Sequence, residues 1–275
     1  MNTIQNNNSS LFFKRTVIVF FLIHAFCFVQ SQSFNIGLTG GGGGAVFINP
    51  SIWQAGTEQK YRYTPSYNYG IQSALNLGNG ASFELDILDC NITQGYSGSF
   101  STSGAFPGSG VSYFQGGSYT SETKLNVIQV PFTVRYKRNF TGIYVEAGVG
   151  DEIILSAAYS ATYTNPTYNI NSDVTSSYPK SGFLAIAGLG WDKQLFGDYN
   201  FYLNTGIRID YGLLDIEGVD GHGQAFEIGG AANPYYTNEH TTHSLDVFIH
   251  LGIFYKFLFP DNGRGHASEN GERGA

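Results

Sequence analysis

Two cysteines and 13% charged residues exclude a good deal before any motif is read. Cys27 lies inside an apolar N-terminal run, so a chain that loses that run keeps Cys90 alone and forms no internal disulfide. The formal net charge is −7, with no basic patch to neutralise phosphates, which excludes nucleic acid as a partner. Beyond the N-terminal segment the chain lacks any apolar run of about 18 residues, the length that marks a helix crossing a membrane. Prolines are scarce and sit almost wholly in or beside the loops: Pro50, Pro107, Pro166, Pro179 and Pro234.

Glycine is plentiful instead, at 36 residues, and aromatics reach 16%, with 19 Tyr and 22 Phe. At 275 residues the chain has room for one large domain or two small ones. Lys14 and Arg15 precede the apolar run Thr16 to Val29, which has the length of a secretory signal. Val29, Gln30 and Ser31 fit a cleavage site, so residues 1–31 are expected to be a signal peptide and Gln32 the mature N-terminus. The alternative, an uncleaved anchor, falls short of the roughly 20 apolar residues a spanning helix needs. Phe26 does not suit lipoprotein processing at Cys27, which takes a small residue there.

The longest regular pattern runs from Thr141 to Thr164. Odd positions from Ile143 to Tyr163 are apolar apart from Asp151, and even positions include Glu146, Glu152, Gly148, Gly150, Ser156 and Ser160. Period-two alternation of this kind makes a strand with two unlike faces. Seven further segments alternate likewise, at about 34–48, 61–77, 81–100, 120–137, 182–196, 199–216 and 244–257. Gly78-Asn79-Gly80, Lys137 to Gly142 and Phe196 to Tyr199 are short connections, and they alternate with long ones at about 49–60, 101–119, 165–180 and 217–243. A secreted chain of eight strands with alternating short and long links predicts an all-β fold, an eight-stranded antiparallel up-and-down transmembrane β-barrel. The barrel is expected over 32–259, with a disordered periplasmic tail at 260–275. An even strand number puts both termini in the periplasm. Pro131, inside the fourth strand, predicts a bulge or a local break in pairing.

The segment Val127 to Lys137, followed by Ile143 to Gly150, resembles the "IP-hydrophobic-KY … Y-x-x-AG-x-x-G" signature of the PorT-like outer-membrane β-barrel family of Bacteroidota. Phe183 to Trp191 and Tyr202 to Gly212 are similar to its next hairpin, and Leu251 to Phe257 to its final strand. The resemblance implies an eight-stranded outer-membrane barrel and a role in protein secretion or surface export.

On this reading the lumen holds Glu84, Asp86, Arg135, Glu146, Glu152, Arg208, Asp210, His250 and Lys256. Buried charges are costly unless paired, so these are expected to form a structural network filling a narrow interior, with both glutamates of the fifth strand meeting Arg135 or Arg208. A polar path for a small solute is the alternative. Gly40 to Gly44 match no phosphate-binding loop and read as a strand that bends or is closely approached. His222, His240 and His243 share a loop with several carboxylates, but their spacing matches no metal motif. Aromatic girdles are expected from Tyr136, Phe140, Tyr199, Tyr255 and Phe257 at one end, and from Tyr61, Tyr63, Tyr159, Tyr163 and Tyr211 at the other.

The sequence therefore predicts a non-enzymatic barrel of a Gram-negative outer membrane with a structural, surface-interaction or export-associated role. Its partners are outer-membrane lipid and proteins met through extracellular loops or the periplasmic tail; no cofactor and no catalytic or metal-binding residue is expected. Two other classes stay open. One is a lipid-modifying barrel enzyme using His243 and Ser244, although neighbours on a strand point to opposite faces. The other is a secreted barrel that binds a ligand inside.

Overall fold

The computed structural model describes residues 33–49, 60–78, 80–99, 118–138, 142–164, 169–195, 200–216, 227–228, 231–232 and 241–258. The segments expected to be a signal peptide and a tail, the expected girdle positions Phe140 and Tyr199, and His222 and His240 lie outside these residues.

Eight long strands form the wall: β1 Ser33–Ile48, β2 Pro65–Gly78, β3 Ala81–Ser99, β4 Ser118–Lys137, β5 Ile143–Tyr163, β6 Ser181–Gln194, β7 Phe201–Gly212 and β8 His243–Leu258. Each pairs antiparallel with the next, and β8 pairs with β1 along its whole length, so the ring is closed. Closure leaves the ring without a free edge, which a wall in lipid requires because no water is there to bond one. The strands are staggered: from Gly40 in the middle of β1, successive partners are Tyr69, Asp89, Ile128, Ile153 and finally Ser181, the first residue of β6. Stagger of this kind tilts the strands against the barrel axis.

Outward positions carry an apolar belt. Leu38, Ile71, Ile87, Val134, Val145, Leu189, Ile249 and Leu251 are each about half exposed or more. A contiguous exposed apolar surface of this size marks a membrane or partner contact, and on a closed barrel it is the lipid face.

Two turns depend on glycine. Gly80 closes the β2–β3 hairpin at φ 83°, and Gly142 leads into β5 at φ 71°, a left-handed backbone that side chains with a Cβ rarely adopt.

β3, β4 and β5 continue beyond the belt as an extension. The three-residue strand Lys60–Arg62 pairs with the outer end of β3, and Ile170–Asp173 pairs with the outer end of β5. The polarity of the wall reverses where the extension begins. On β4 the outward residues Tyr136, Val134, Phe132, Val130 and Ile128 give way to Asn126, Lys124, Glu122 and Thr120, while the inward residues change from Arg135, Thr133 and Gln129 to Val127 and Leu125.

Of the two outcomes expected at Pro131, the local break is the one observed. At Pro131 the pairing is interrupted without a bulge: Leu85 pairs Phe132 and Leu88 pairs Gln129 in one register, with Asp86 and Ile87 unpaired to β4 between them. The bulge lies on β5 instead. Asn126 pairs Ser156 and Val127 pairs Ile154, which leaves Leu155 as an extra residue. One inserted residue exchanges the two faces of everything beyond it.

Candidate functional site

Among the described residues the interior has two storeys. The inner one, within the belt, is polar and centres on two arginines. Arg135 of β4 lies 2.6 Å from Glu84 Oε2 of β3 and 2.8 Å from Glu146 Oε2 of β5, through Nη2 in both cases. Its Nε also donates to Glu146 at 3.2 Å, and its guanidinium stacks 3.8 Å from the ring centre of Tyr144. Gln72 of β2 donates to the other oxygen of Glu84. Arg208 of β7 bonds Asp86 of β3 at 3.3 Å and Asp210 of its own strand at 3.1 Å. These side chains alternate inward by strand periodicity, and eight strands bring them close enough to fill the lumen. A guanidinium taken out of water costs several kcal/mol, on the order of what such close, multiple contacts return.

The remaining expected lumen residues fall differently. Glu152 is buried inside but meets no arginine; it accepts from Gln129 Nε2 at 3.1 Å. It sits one storey too high, beside the reversal of polarity. His250 faces inward and its Nε2 lies 2.8 Å from the Tyr144 hydroxyl. Lys256 reaches the inner mouth, with its ammonium 6.0 Å from the Tyr202 ring centre, and has no carboxylate partner among the described residues. Position near the strand's end, where the lumen opens, explains its partial exposure.

Several members of the network were not expected from sequence. Asp192 of β6 bonds Lys137 at 3.3 Å and accepts from Asn204 at 2.7 Å, and Asn204 in turn touches the Tyr144 hydroxyl. Asp246 of β8 is fully buried opposite Asp210. Asp246 stands at an inward even position like His250, so strand parity was the signal that marked it. Carboxyl groups inside thus comprise Glu84, Asp86, Glu146, Glu152, Asp192, Asp210 and Asp246, against the guanidiniums of Arg135 and Arg208. Between the two arginines remains a cavity of about 10 Å³, bordered by Gln72, Asp86 and His250 among others. That is room for about one water molecule, which is too little for a solute.

The outer storey is mainly apolar, with Gln94, Ser121 and Thr123 buried among its side chains. Phe47, Leu88, Cys90, Ile92, Tyr119, Leu125, Val127, Tyr159 and Tyr163 pack inside the extension with Val174, Tyr178 and Ile216 from the connecting loops. Tyr159 and Tyr163, expected in an outer girdle, are instead 3% and 6% exposed and point inward because the Leu155 bulge turned their face. Tyr63, at 77% exposure, is outside as a girdle residue would be. At the rim Asn49 Nδ2 donates to Thr242 Oγ1 at 2.9 Å, and Thr242 N donates to Asp215 at 3.0 Å.

His243 and Ser244 do not form a nucleophile and base. His243 Nδ1 lies 2.9 Å from the Gly212 carbonyl, and its ring stacks on outward Tyr211 with 5.6 Å between ring centres. Ser244 is 2% exposed and faces the interior. Of Gly40 to Gly44, Gly43 is closely approached: a Cβ there would collide with the Val247 carbonyl of β8.

No curated protein sequence matches the chain. Among solved structures it is similar to Neisserial surface protein A, at 10% identity and a TM-score of 0.35, over 82% of this chain and 98% of that one. It is similar to OprG of Pseudomonas aeruginosa at 11% identity and a TM-score of 0.37, over 84% and 98%. It is also similar to the attachment invasion locus protein Ail of Yersinia pestis, there in complex with the heparin analogue sucrose octasulfate, at 10% identity and a TM-score of 0.33, over 82% and 99%. The model of the outer membrane protein beta-barrel domain matches residues 29–218. With a closed ring of eight antiparallel strands, a lipid-facing belt and that match, the chain belongs to the outer membrane protein beta-barrel domain family.

Proposed function

We propose that this protein is a non-enzymatic scaffold of the outer membrane, with both termini in the periplasm and its strand extension raised on the outside. Its work is then surface interaction or, as the PorT-like resemblance implies, a part in export. The observation that carries this reading is the filled interior. An acid-rich lumen would favour cations if it were open, but among the described residues the inner storey leaves a cavity of about 10 Å³ and the outer storey is packed with mainly apolar side chains. Among the described residues these leave little room for a solute path or an enclosed substrate, so the loop-bearing end is the surface offered to a partner. The lumenal charges, in this reading, are structural.

Two measurements test it. Purified protein in planar lipid bilayers should give no discrete conductance steps; steps abolished by blocking the lumen would overturn the scaffold reading. A deletion strain should show a changed surface or secreted proteome if the role is export-associated, and altered adhesion with an unchanged proteome if it is surface interaction. Protease added to intact cells should cut the connections at about 101–117, and cutting only after outer-membrane permeabilisation would reverse the assigned orientation.

A further inference from the structure

Inside the wall, one acid is left without a counter-ion. Asp246 of β8 and Asp210 of β7 are direct cross-strand partners, and both are 0% exposed. Residues directly opposite in an antiparallel pair have Cβ atoms about 4.5–5.5 Å apart, so two inward carboxyl groups there are within reach of each other. Asp210 is supplied on one side, where its Oδ2 accepts from Arg208 Nε at 3.1 Å. Its Oδ1 has no hydrogen-bond partner, and neither has either oxygen of Asp246. Gln129 of β4 stands near Asp246, but its Nε2 donates to Glu152 at 3.1 Å.

The surroundings offer Asp246 no free positive charge. Glu152 acts on it from β5, Cys90 from β3 and Gln129 from β4, and its partner on β1 is Ala45. Arg208 is close enough to act on Asp246, but it gives its bonds to Asp86 at 3.3 Å and to Asp210. The arrangement does not suit a metal ion either. Among the described residues no group of three His, Cys, Asp or Glu is placed to hold one, and the small cavity between the arginines borders neither Asp210 nor Asp246. Two ionised carboxylates face to face and out of water repel each other, and one of them here would also be unpaired; a single proton relieves both costs.

We propose that Asp246 carries a proton at neutral pH and donates it to Asp210 Oδ1, so that the two side chains form one acid pair tying β8 to β7. Arg208 decides which member holds the proton: its bond keeps the negative charge on Asp210. The new bond occupies an orphaned oxygen on each side, and O–H···O⁻ bonds of this kind are short and strong, about 2.5–2.7 Å. Loss of the proton to hydroxide would leave two carboxylates directly opposed, with Glu152 a third nearby, so the pair is a latch that alkaline conditions release. The proposal is independent of the scaffold role.

Denaturant unfolding of the purified protein from lipid vesicles, compared across about pH 6–8, tests it. An ordinary aspartate ionises near about 3.9, so in this range the unfolded chain has lost the proton that the folded chain keeps, and stability falls as pH rises. Asp246→Asn retains a donor to Asp210 but takes up no proton. Relative to that variant, the wild-type folding equilibrium constant should fall about tenfold per pH unit, and parallel profiles for the two would overturn the proposal. Infrared spectra at neutral pH give a second reading. The wild type should show a protonated-acid carbonyl band that shifts when aspartate is isotope-labelled at its side-chain carboxyl carbon, and that band should weaken in Asp246→Asn or, should this variant not fold, in Asp246→Ala. Absence of the band from the wild type, or an unchanged band in a folded variant, would overturn the assignment.

Discussion

The Tyr144 hydroxyl of β5 and the His250 Nε2 of β8 lie 2.8 Å apart across the lumen, joined from positions 106 residues apart in sequence. Asn204 Nδ2 donates to the same hydroxyl at 3.1 Å. Tyr144→Phe leaves the buried Asn204 and the half-buried His250 without it, and the expected loss is about 1–3 kcal/mol of unfolding free energy. Denaturant unfolding from lipid vesicles measures this, and an unchanged midpoint would contradict the strut.

Arg135→Met should cost more, about 3–5 kcal/mol, because Glu84 and Glu146 remain buried and face each other uncompensated. Combining it with Glu84→Gln and Glu146→Gln should restore most of the loss. Arg62→Met is the control: its pair with Glu122 has side chains 39% and 30% exposed, and the expected effect is about 0–1 kcal/mol. Comparable losses for Arg62 and Arg135 would show that burial does not set the scale.

Deleting Leu155 alone should be tolerated, whereas deleting Leu155 and Ser156 together should not. Ile154 already pairs Val127 and Ser156 already pairs Asn126, so loss of Leu155 makes the ladder regular and leaves Tyr159 and Tyr163 inward. Loss of both residues puts Ala157 in the place of Ser156, presents Ser160 and Thr162 to the interior and turns Tyr159 and Tyr163 outward. The double deletion should abolish or severely lower the yield of heat-modifiable barrel, whereas the single deletion should fold.

Gly142→Val places a β-branched side chain at φ 71° with Trp191 Nε1 about 3.0 Å from the new Cβ. The expected cost is at least about 1–2 kcal/mol. An equilibrium unfolding curve that overlays the wild type would show that the turn can relax.

Asp173 supplies the pH prediction. Its folded carboxyl lies below the ordinary value of 3.8, so its stabilising bonds to Thr175 are fully present above that value and lost as pH falls through the lower folded one. Thr175→Val should move the Asp173 titration upward toward the ordinary value when followed by carboxyl NMR. A titration that stays put would locate the cause elsewhere.

Strand number, order and most boundaries were legible because period-two alternation survives in every wall strand. In the lower lumen strand parity marks the inward charges, yet Asp192 and Asp246 stand at inward positions and went unmarked. What stayed hidden is the two-storey interior, and β5 shows why. Above the membrane the apolar face of a strand moves from outside to inside, and on β5 the Leu155 bulge exchanges inside for outside at nearly the same height. The two changes cancel in the sequence, so the odd residues from Ile143 to Tyr163 look like one apolar face although Val149 is outside and Tyr159 inside. Ser156, Ala157 and Ala158 are small on both faces and give no contrast to reveal the step. On β4, which has no bulge, the reversal was written openly: Val130 and Ile128 outward, then Asn126 and Lys124.

The extension also bears on how many copies can share a membrane. Three strands standing proud of a closed ring would offer two bare edges, each a row of unpaired N–H and carbonyl groups that recruits another chain. Lys60–Arg62 lies along one and Ile170–Asp173 along the other, both drawn from the protein's own connecting loops. In a crowded bilayer a neighbouring barrel therefore finds no strand to add to at those covered stretches, and the raised part can stand at high density without zipping into its neighbours.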